Sequence, residues 1–356
     1  MRIFFFLLFG LLLCSCLDQI KLEVPEGLEE GIVITGALQK SDPSFIKIEV
    51  SNIFNFDLKT LAPTRAKSVF LMDDAGNELE IPITGNGINR YIFKGDETLK
   101  VEFGRQYKIR VTDQKDRVFE STLEELMPPV EKGALSYEFS EFEFLDEENE
   151  VENLSAVQFG LNSSIKLDGR EENARIVWFP ERTYALSDSL FIPDFVAKTC
   201  YITAPIKITT VELFDGSDLG LEQLENHPLS KVPINYEFAE GYYYTLYQRT
   251  LNKEAFDYWK QTKQVIERTG NQFEPPVGRI ISNFRNINDE SDGNVFGYFS
   301  AFYEDTLQLC VTPEEVGSPS RLCPVQDVLG CPVPNPCCDC LLEGFSQLEK
   351  PDFWEK

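Results

Sequence analysis

The sequence is poor in the side chains that many enzymes use for catalysis. Its 356 residues contain a single histidine, His227, and only three methionines. A Ser/His/Asp or Cys/His mechanism would therefore depend on one imidazole. The chain also lacks a GxSxG elbow, an HExxH helix, a P-loop and a dinucleotide fingerprint, which argues against the most readily recognised hydrolases, zinc proteases and nucleotide-binding enzymes. We expect no catalytic residue and no catalytic metal, although the 59 acidic residues leave a chance pair of catalytic carboxylates open.

Basic residues are also scarce. The chain has 33 lysines and arginines against 59 acidic residues, so its net charge is −26. Phosphate backbones and anionic lipid surfaces repel a protein of this charge. Nucleic acid is therefore excluded as an expected partner, and attachment to a membrane cannot come from a basic patch. Cationic ligands, divalent ions and basic protein surfaces remain open.

The one long apolar run lies at the N-terminus, where residues 3–13 follow Arg2 and are too few to span a bilayer. The run ends in Leu13-Cys14-Ser15-Cys16, the pattern that bacterial lipoprotein signal peptidase cuts. We predict a signal peptide over residues 1–15 and a lipid on Cys16. Cys14 is a poorer acceptor because Leu13 stands where a small residue is needed. An ordinary secretory signal cut near Ser15 is the alternative.

Seven cysteines remain after Cys14 is removed and Cys16 is lipidated. The oxidising environment outside the inner membrane favours disulfides, with one thiol left over or shared with a partner. The spacings lack the paired CxxC arrangement of structural zinc sites. We therefore predict a disulfide-stapled C-terminal lobe around residues 310–340. The candidates are Cys200, Cys310, Cys323, Cys331, Cys337, Cys338 and Cys340.

Abundant phenylalanine and tyrosine, 28 and 13 residues, favour a mainly β protein. After a tether over 16–30, short alternating runs bounded by turn residues predict an immunoglobulin-like or fibronectin-like β-sandwich over 31–126, including a strand at 98–103. Met127-Pro128-Pro129 marks a boundary, and 130–356 is predicted to be a larger, loop-rich β domain. Its acidic segment 145–153 is interpreted as a solvated tip, with a structural calcium site or a docking point for a basic partner as alternatives.

Two aromatic segments in the second domain could contact a ligand or partner. The spacing over 252–269 predicts a helix that starts at Asn252 and packs on the sheet, and Tyr258 or Trp259 is the candidate for ligand contact. Residues 241–247 predict a strand with Tyr243, Thr245 and Tyr247 on one face. One face of this strand is expected in the core, and an exposed row with Tyr243 and Tyr247 would suit sugar stacking or a protein interface.

Several segments, together with the N-terminal pattern, carry a family resemblance. They are 254–260, 273–276, 278–283, 295–301 and 350–354. In this order they resemble an uncharacterised Bacteroidota family of surface lipoproteins that carry a domain of unknown function and are often encoded beside TonB-dependent outer-membrane receptors. That family has no established catalytic residues to transfer, and the cysteine cluster here is richer than the family's pattern.

The resemblance implies a non-enzymatic, surface-exposed outer-membrane lipoprotein. It would act as a binding or accessory subunit of a TonB-dependent transporter or of another outer-membrane complex, with a β-barrel protein as its partner. The N-terminal lipid is the only attached group that we expect. A surface carbohydrate-active enzyme or peptidase is the alternative.

Overall fold

The protein is built from β-strands and one α-helix within its described residues. A computed structural model describes residues 31–52, 64–82, 90–94, 99–145, 151–188, 197–206, 211–217, 219–267, 280–288, 294–323 and 335–354. The prediction of a mainly β protein is confirmed. Its elements are β1 (Ile32–Lys40), β2 (Phe45–Asn52), β3 (Ala66–Asp73), β4 (Glu78–Glu80), β5 (Arg90–Lys94), β6 (Gln106–Asp113), β7 (Val118–Ser121), β8 (Glu124–Glu125), β9 (Ala134–Leu145), β10 (Val151–Ser164), β11 (Arg175–Ser187), β12 (Thr199–Pro205), β13 (Glu212–Asp215), β14 (Gln223–Pro233), β15 (Tyr242–Leu251), α1 (Lys253–Ile266), β16 (Phe284–Asn286), β17 (Val295–Phe296), β18 (Phe299–Val311) and β19 (Ser346–Gln347).

One ten-stranded sheet contains both the first and the last strand of the described residues. Its main path runs β19-β12-β11-β15-β18-β1-β2-β5, while β13 pairs with β11 and β17 pairs with β1. The strands β1 and β18 are parallel, from the pair Gly36 and Phe299 to the pair Lys40 and Tyr303. The rest of β18 pairs with β15 in the antiparallel sense. β18 is therefore the strand through which the N-terminal and C-terminal halves share a sheet.

Two smaller sheets cover one face of the ten-stranded sheet. The six-stranded sheet (β16-β7-β6-β3-β4, with β8 beside β6) packs on β1 and β2 through side chains that include Ile34, Ile48 and Ile109. The three-stranded sheet β14-β10-β9 packs on β11, β15 and β18. One face of the tyrosine-rich strand was expected in the core, and the structure places Tyr242, Tyr244 and Leu246 there. The arrangement is a sandwich with one long sheet and two short ones.

Strand pairing crosses the predicted domain boundary at 127–129. β1 pairs with β17 and β18, and β7 pairs with β16. Strands from residues 31–126 therefore share sheets with strands from residues 130–356. The division into two domains stays a prediction. Within the first part, the strand expected at 98–103 is wrong over its described residues. Leu99 and Val101 are buried there, but the Val101 carbonyl accepts a hydrogen bond from Lys40 Nζ and no strand pairs with the segment.

The predicted helix is present as α1 and is the only α-helix among the described residues. Its first turn is capped by Asn252, whose Oδ1 accepts a hydrogen bond from the Ala255 amide at 2.8 Å. Ala255 and Phe256 pack against Val177 and Leu251, on the face of the long sheet that the two small sheets leave uncovered. The helix ends at Ile266 with Glu267 as its C-cap, so the predicted end at 269 is wrong by three residues. No helix in the described ranges is long and apolar enough to cross a membrane.

Disulfides staple the C-terminal lobe, as predicted. Cys200 on β12 is bonded to Cys340, and Cys323 is bonded to Cys337. Cys338 is also disulfide-bonded, and Cys331 lies outside the described residues. Cys310, one of the disulfide candidates, carries a thiol and is half-buried on β18. These bonds hold a loop-rich segment that has little regular structure of its own.

Removing the Cys200–Cys340 bond should destabilise the fold more than removing the Cys323–Cys337 bond. The first closes a separation of 140 residues and the second one of 14 residues, and longer loops restrict the unfolded chain more. We expect the double variant Cys200→Ala/Cys340→Ala to lower the free energy of unfolding by about 5 kcal/mol, against about 3 kcal/mol for Cys323→Ala/Cys337→Ala. Urea denaturation of both variants measures this order. The opposite order would contradict the account.

Candidate functional site

The best candidate site is the uncovered face of the long sheet, which we call the open face. It is bounded at one end by α1 and at the other by residues 350–354. Its surface is formed by the side chains of five neighbouring strands. They are Glu181 on β11; Tyr247 and Arg249 on β15; Ser300, Glu304, Thr306, Gln308 and Cys310 on β18; Thr35 on β1; and Lys47 and Glu49 on β2. Thr183, Tyr243 and Thr245 are on the same side of the sheet but are buried.

Strand alternation explains why this face is polar. Every second residue of β15 enters the core, so the residues between them, from Tyr243 to Arg249, point to the opposite side. Polar groups pair across the strands there. Gln308 Nε2 donates to Thr245 Oγ1 at 3.0 Å, and the Tyr247 hydroxyl donates to Glu181 Oε1 at 3.1 Å. A polar face between covered ends is a surface that can accept a ligand.

Partial burial changes the acid–base properties at the centre of this face. Burial raises the pKa of the Glu181 carboxyl, against the lowering effect of the Tyr247 hydroxyl. Burial, reinforced by the Glu181 charge, raises the pKa of Tyr247 to about 12. The phenol therefore stays protonated near neutral pH and acts as a hydrogen-bond donor.

All four predicted ligand or partner residues lie on the open face or at its border. Tyr243 and Tyr247 are on β15, while Tyr258 and Trp259 extend from α1. Tyr243 and Tyr247 are separated by about 13 Å along the strand at about 3.3 Å per residue. Tyr258 and Trp259 line a pocket at the α1 end of the face, and Tyr243 lines a pocket at the other end. Tyr247 lies between these pockets and lines neither. Tyr243 is only 7% exposed, so it is not part of an exposed tyrosine row.

The helix pocket, at the α1 end, has a volume of about 240 Å³. Its aromatic wall contains Tyr258, Trp259, Tyr298 and Phe302. The Tyr258 ring stacks on the Tyr298 ring at 4.4 Å between centroids. The Trp259 ring meets the edge of Phe179 at 5.2 Å. These contacts fix the rings of the wall in place.

Arg249 forms the polar side of the helix pocket. Its guanidinium lies between two rings, 4.6 Å from the Phe179 centroid and 4.0 Å from the Phe302 centroid. Its Nε donates to Glu304 Oε2 at 2.6 Å. The stacking and the ion pair together define the plane of the guanidinium, so its terminal nitrogens are presented in a fixed direction.

A buried carboxylate supports the helix pocket from behind. Glu124, which is 1% exposed, accepts hydrogen bonds from Asn252 Nδ2 at 2.8 Å, Asn283 Nδ2 at 3.0 Å and the Tyr298 hydroxyl at 2.8 Å. It therefore links the N-cap of α1 to the pocket wall. Burial raises the pKa of Glu124, although these three donors act in the opposite direction.

The tail pocket, at the other end, has a volume of about 810 Å³. Tyr243 lies at its base, with its ring centroid 5.3 Å from that of Phe353 and 4.8 Å from that of Trp354. Glu240, Gln308 and Cys310 also line it. Glu240 accepts a hydrogen bond from the Ser187 hydroxyl at 3.1 Å. This pocket is wider and less enclosed by rings than the helix pocket.

The other predicted sites give less information about function. Cys16 lies outside the described residues, as do residues 146–150 of the acidic segment considered for calcium. In the described ranges, no group of three or more His, Cys, Asp or Glu side chains is placed to hold a metal ion. His227 lies on β14, with its ring 5.3 Å from Trp178 and 5.6 Å from Phe214, and burial lowers its pKa.

The polar residues of the helix pocket were not predicted from the sequence. Arg249 extends the period of two that starts at Tyr243, so the same alternation could have placed it on this face. Lys47, Glu49 and Ser300 carry no such local signal. They reach the pocket because β1 and β2 pair beside β18, which depends on contacts distant in the chain.

Comparison with known proteins gives one match. Residues 18–308 match the model of a family described as a domain of unknown function, DUF4249. No curated protein and no solved structure matches the chain.

Proposed function

Because the chain belongs to the DUF4249 family, whose description assigns no activity, we propose its function from its own residues. The protein is an outer-membrane lipoprotein that faces the cell surface and binds ligand on its open face. It works as a non-enzymatic accessory subunit of an outer-membrane β-barrel, such as a TonB-dependent transporter of Bacteroidota.

The open face is the observation that carries this proposal. It is a polar and aromatic sheet surface with a pocket at each end, and the exposed Thr306 lies between the two pockets. A shallow surface of this kind suits the binding and positioning of an extended ligand. The polar groups on it are engaged in fixed cross-strand pairs, which is the arrangement of a preformed binding surface.

The N-terminal sequence supports the membrane location. Lipidation at Cys16 would anchor the chain, since each buried methylene contributes roughly 0.8 kcal/mol. Removing residues 1–15 changes the net charge from −26 to −27, because Arg2 is the only charged residue lost. A body this acidic is repelled by anionic lipid headgroups. Residues 16–30 would form a tether with a reach of at most about 50 Å.

We expect Cys16→Ser to release the protein from the membrane, because serine lacks the thiol that receives the lipid. The measurement is the fraction of protein recovered with outer membranes, together with incorporation of radiolabelled palmitate. Cys14→Ser is the matched control, since Cys14 is removed with the signal peptide, and it should leave both values unchanged. Equal membrane recovery and labelling of the Cys16 variant would show that another group holds the anchor.

The partner is tested by affinity purification of the full lipoprotein from gently solubilised membranes. The proposed function predicts a β-barrel protein in stoichiometric amount. Recovery of the lipoprotein alone, with turnover of glycans or peptides by the purified protein, would support a surface enzyme and contradict the proposal.

A further inference from the structure

We propose that the helix pocket binds one ring of a neutral sugar. The proposal rests on the binding role proposed above and names the ligand class for that role. Three features of the pocket carry it: a fixed aromatic wall, a mixture of hydrogen-bond donors and acceptors, and cations that are each paired with a carboxylate.

The aromatic wall provides a surface for the carbon–hydrogen face of a sugar ring. Trp259 is half-exposed, and its ring is held by edge contacts with Phe179 at 5.2 Å and Tyr258 at 5.9 Å. Tyr258 is itself stacked on Tyr298. A ring that is already held in place loses little conformational entropy when a ligand stacks on it.

The polar side of the pocket offers donors and acceptors together. Arg249 uses Nε for Glu304, and its terminal nitrogens donate to no side chain in the described residues, so they are available as a fixed fork of donors. Glu49 engages Lys47 and Arg90 through Oε1, at 2.9 Å each. Its second oxygen can accept. The hydroxyls of Thr35 and Ser300 also line the pocket and can do both.

The charges in the pocket select against ionic ligands. Arg249 is paired with Glu304 at 2.6 Å, and Lys47 is paired with Glu49 at 2.9 Å. An anion would meet the two carboxylates and the net charge of −26, while a cation would meet Arg249 and Lys47. A neutral ligand with many hydroxyls can use both kinds of group. A sugar ring combines those hydroxyls with an apolar face that fits the wall.

The size of the pocket limits the site to one ring. A volume of about 240 Å³ equals roughly eight water molecules at about 30 Å³ each. Further rings of a glycan would extend across the open face toward Tyr247 and Thr306. The helix pocket would therefore bind the ring at one end of an extended saccharide.

The test is saturation-transfer NMR on the purified full-length lipoprotein in detergent. The probes are the methyl glycosides of glucose, galactose, mannose and N-acetylglucosamine, with glucuronate and glucosamine as charged comparisons. We expect at least one neutral glycoside to receive saturation, most strongly on the ring protons of one face. Absence of saturation for all four, or tighter binding of a charged sugar than of any neutral one, would overturn the proposal.

Two variants assign the binding to the helix pocket. Trp259→Leu keeps apolar contact with Phe179 but removes the ring face, and Arg249→Lys keeps the charge but removes the fork. Each should weaken binding roughly tenfold, the factor for about 1.4 kcal/mol. Phe139→Leu removes a 60% exposed ring on β9 and should change nothing. Binding that persists in a folded Arg249 variant would overturn the assignment, even if the Trp259 variant fails to fold.

The sugar-binding proposal and the proposed membrane role can be contradicted independently of each other. Sugar binding is measured on the isolated lipoprotein without a barrel, and partner recovery is measured without added sugar. A barrel partner without sugar binding would overturn only the sugar site.

Discussion

Replacing Gly297 by alanine should lower the free energy of unfolding by about 4 kcal/mol or more. Gly297 has a φ of +97°, a conformation that side-chain-bearing residues rarely adopt. A Cβ at this position would lie 2.0 Å from the Ile34 carbonyl oxygen and 2.7 Å from its carbon. These are backbone atoms of β1 in the centre of the long sheet, so they cannot move aside as a flexible side chain could.

The clash should also disturb the helix pocket, because Gly297 precedes Tyr298, a residue of its wall. Urea denaturation monitored by tryptophan fluorescence measures the loss of stability. Gly76→Ala is the matched control: its φ is +85°, but nothing lies within 4 Å of the added Cβ. Gly76→Ala should lower the free energy of unfolding by about 1 kcal/mol, because it adds backbone strain without a steric clash. Equal losses for the two variants would mean that the contact with Ile34 is not rigid.

Replacing Glu124 by alanine should lower the free energy of unfolding by about 4 kcal/mol, because buried donors left without an acceptor cost about 1–3 kcal/mol each. The side-chain oxygens of the two asparagine donors are already committed. Asn252 Oδ1 accepts from Ala255, and Asn283 Oδ1 accepts from the Phe299 amide at 2.9 Å. Neither side-chain amide can therefore flip by about 180° without losing the hydrogen bond that its oxygen accepts.

Glutamine at this position should be intermediate. A carboxylate only accepts hydrogen bonds, whereas the Gln amide has one accepting and one donating end. The Tyr298 hydroxyl can rotate, but the donating end of Gln still meets the NH₂ group of Asn252 or Asn283. We expect Glu124→Gln to cost about 2 kcal/mol. Glu125→Gln is the control, because that carboxylate is part of a half-exposed pair with Arg170 and should change stability by less than about 1 kcal/mol.

The contribution of the Glu124 carboxyl to the free energy of unfolding should also depend on pH. Burial raises its pKa in the folded state above the unfolded value. Its contribution to the free energy of unfolding is therefore complete below the ordinary glutamate pKa of about 4.3 and is lost as the pH rises through the folded-state pKa. The stability difference between the native chain and Glu124→Ala should shrink with rising pH. Unfolding midpoints of both proteins across this range test it, and a difference that grows with pH would contradict the burial effect.

Local sequence patterns predicted the elements that depend on near neighbours. The alternation of 241–247 predicted a strand with one face in the core, and that face contains Tyr242 and Tyr244. The spacing after Asn252 predicted α1 and its N-cap. Both follow from periodicity and capping, which act within a few residues. The predicted ligand residues lie on or beside the open face because the strand and the helix that carry them were both predicted correctly.

Long-range features were not accessible in the same way. The parallel pairing of β1 with β18 joins residues more than two hundred positions apart, and no local pattern selects that partner. Glu124 and Glu125 look alike in sequence, yet one is buried and the other is half-exposed in an ion pair. Segment 98–103 alternates as a strand would, but its described residues find no neighbouring strand. Each case was decided by tertiary contacts.

The most direct measurement of the central claim is the composition of the complex that the lipoprotein forms in its native membrane. The full chain, lipidated at Cys16, would be purified in mild detergent beside an unrelated tagged lipoprotein, and the co-purifying proteins would be identified and quantified. We predict an outer-membrane β-barrel protein in a stoichiometric ratio, absent from the control. Recovery of the lipoprotein without a barrel, together with turnover of glycans or peptides, would contradict the account.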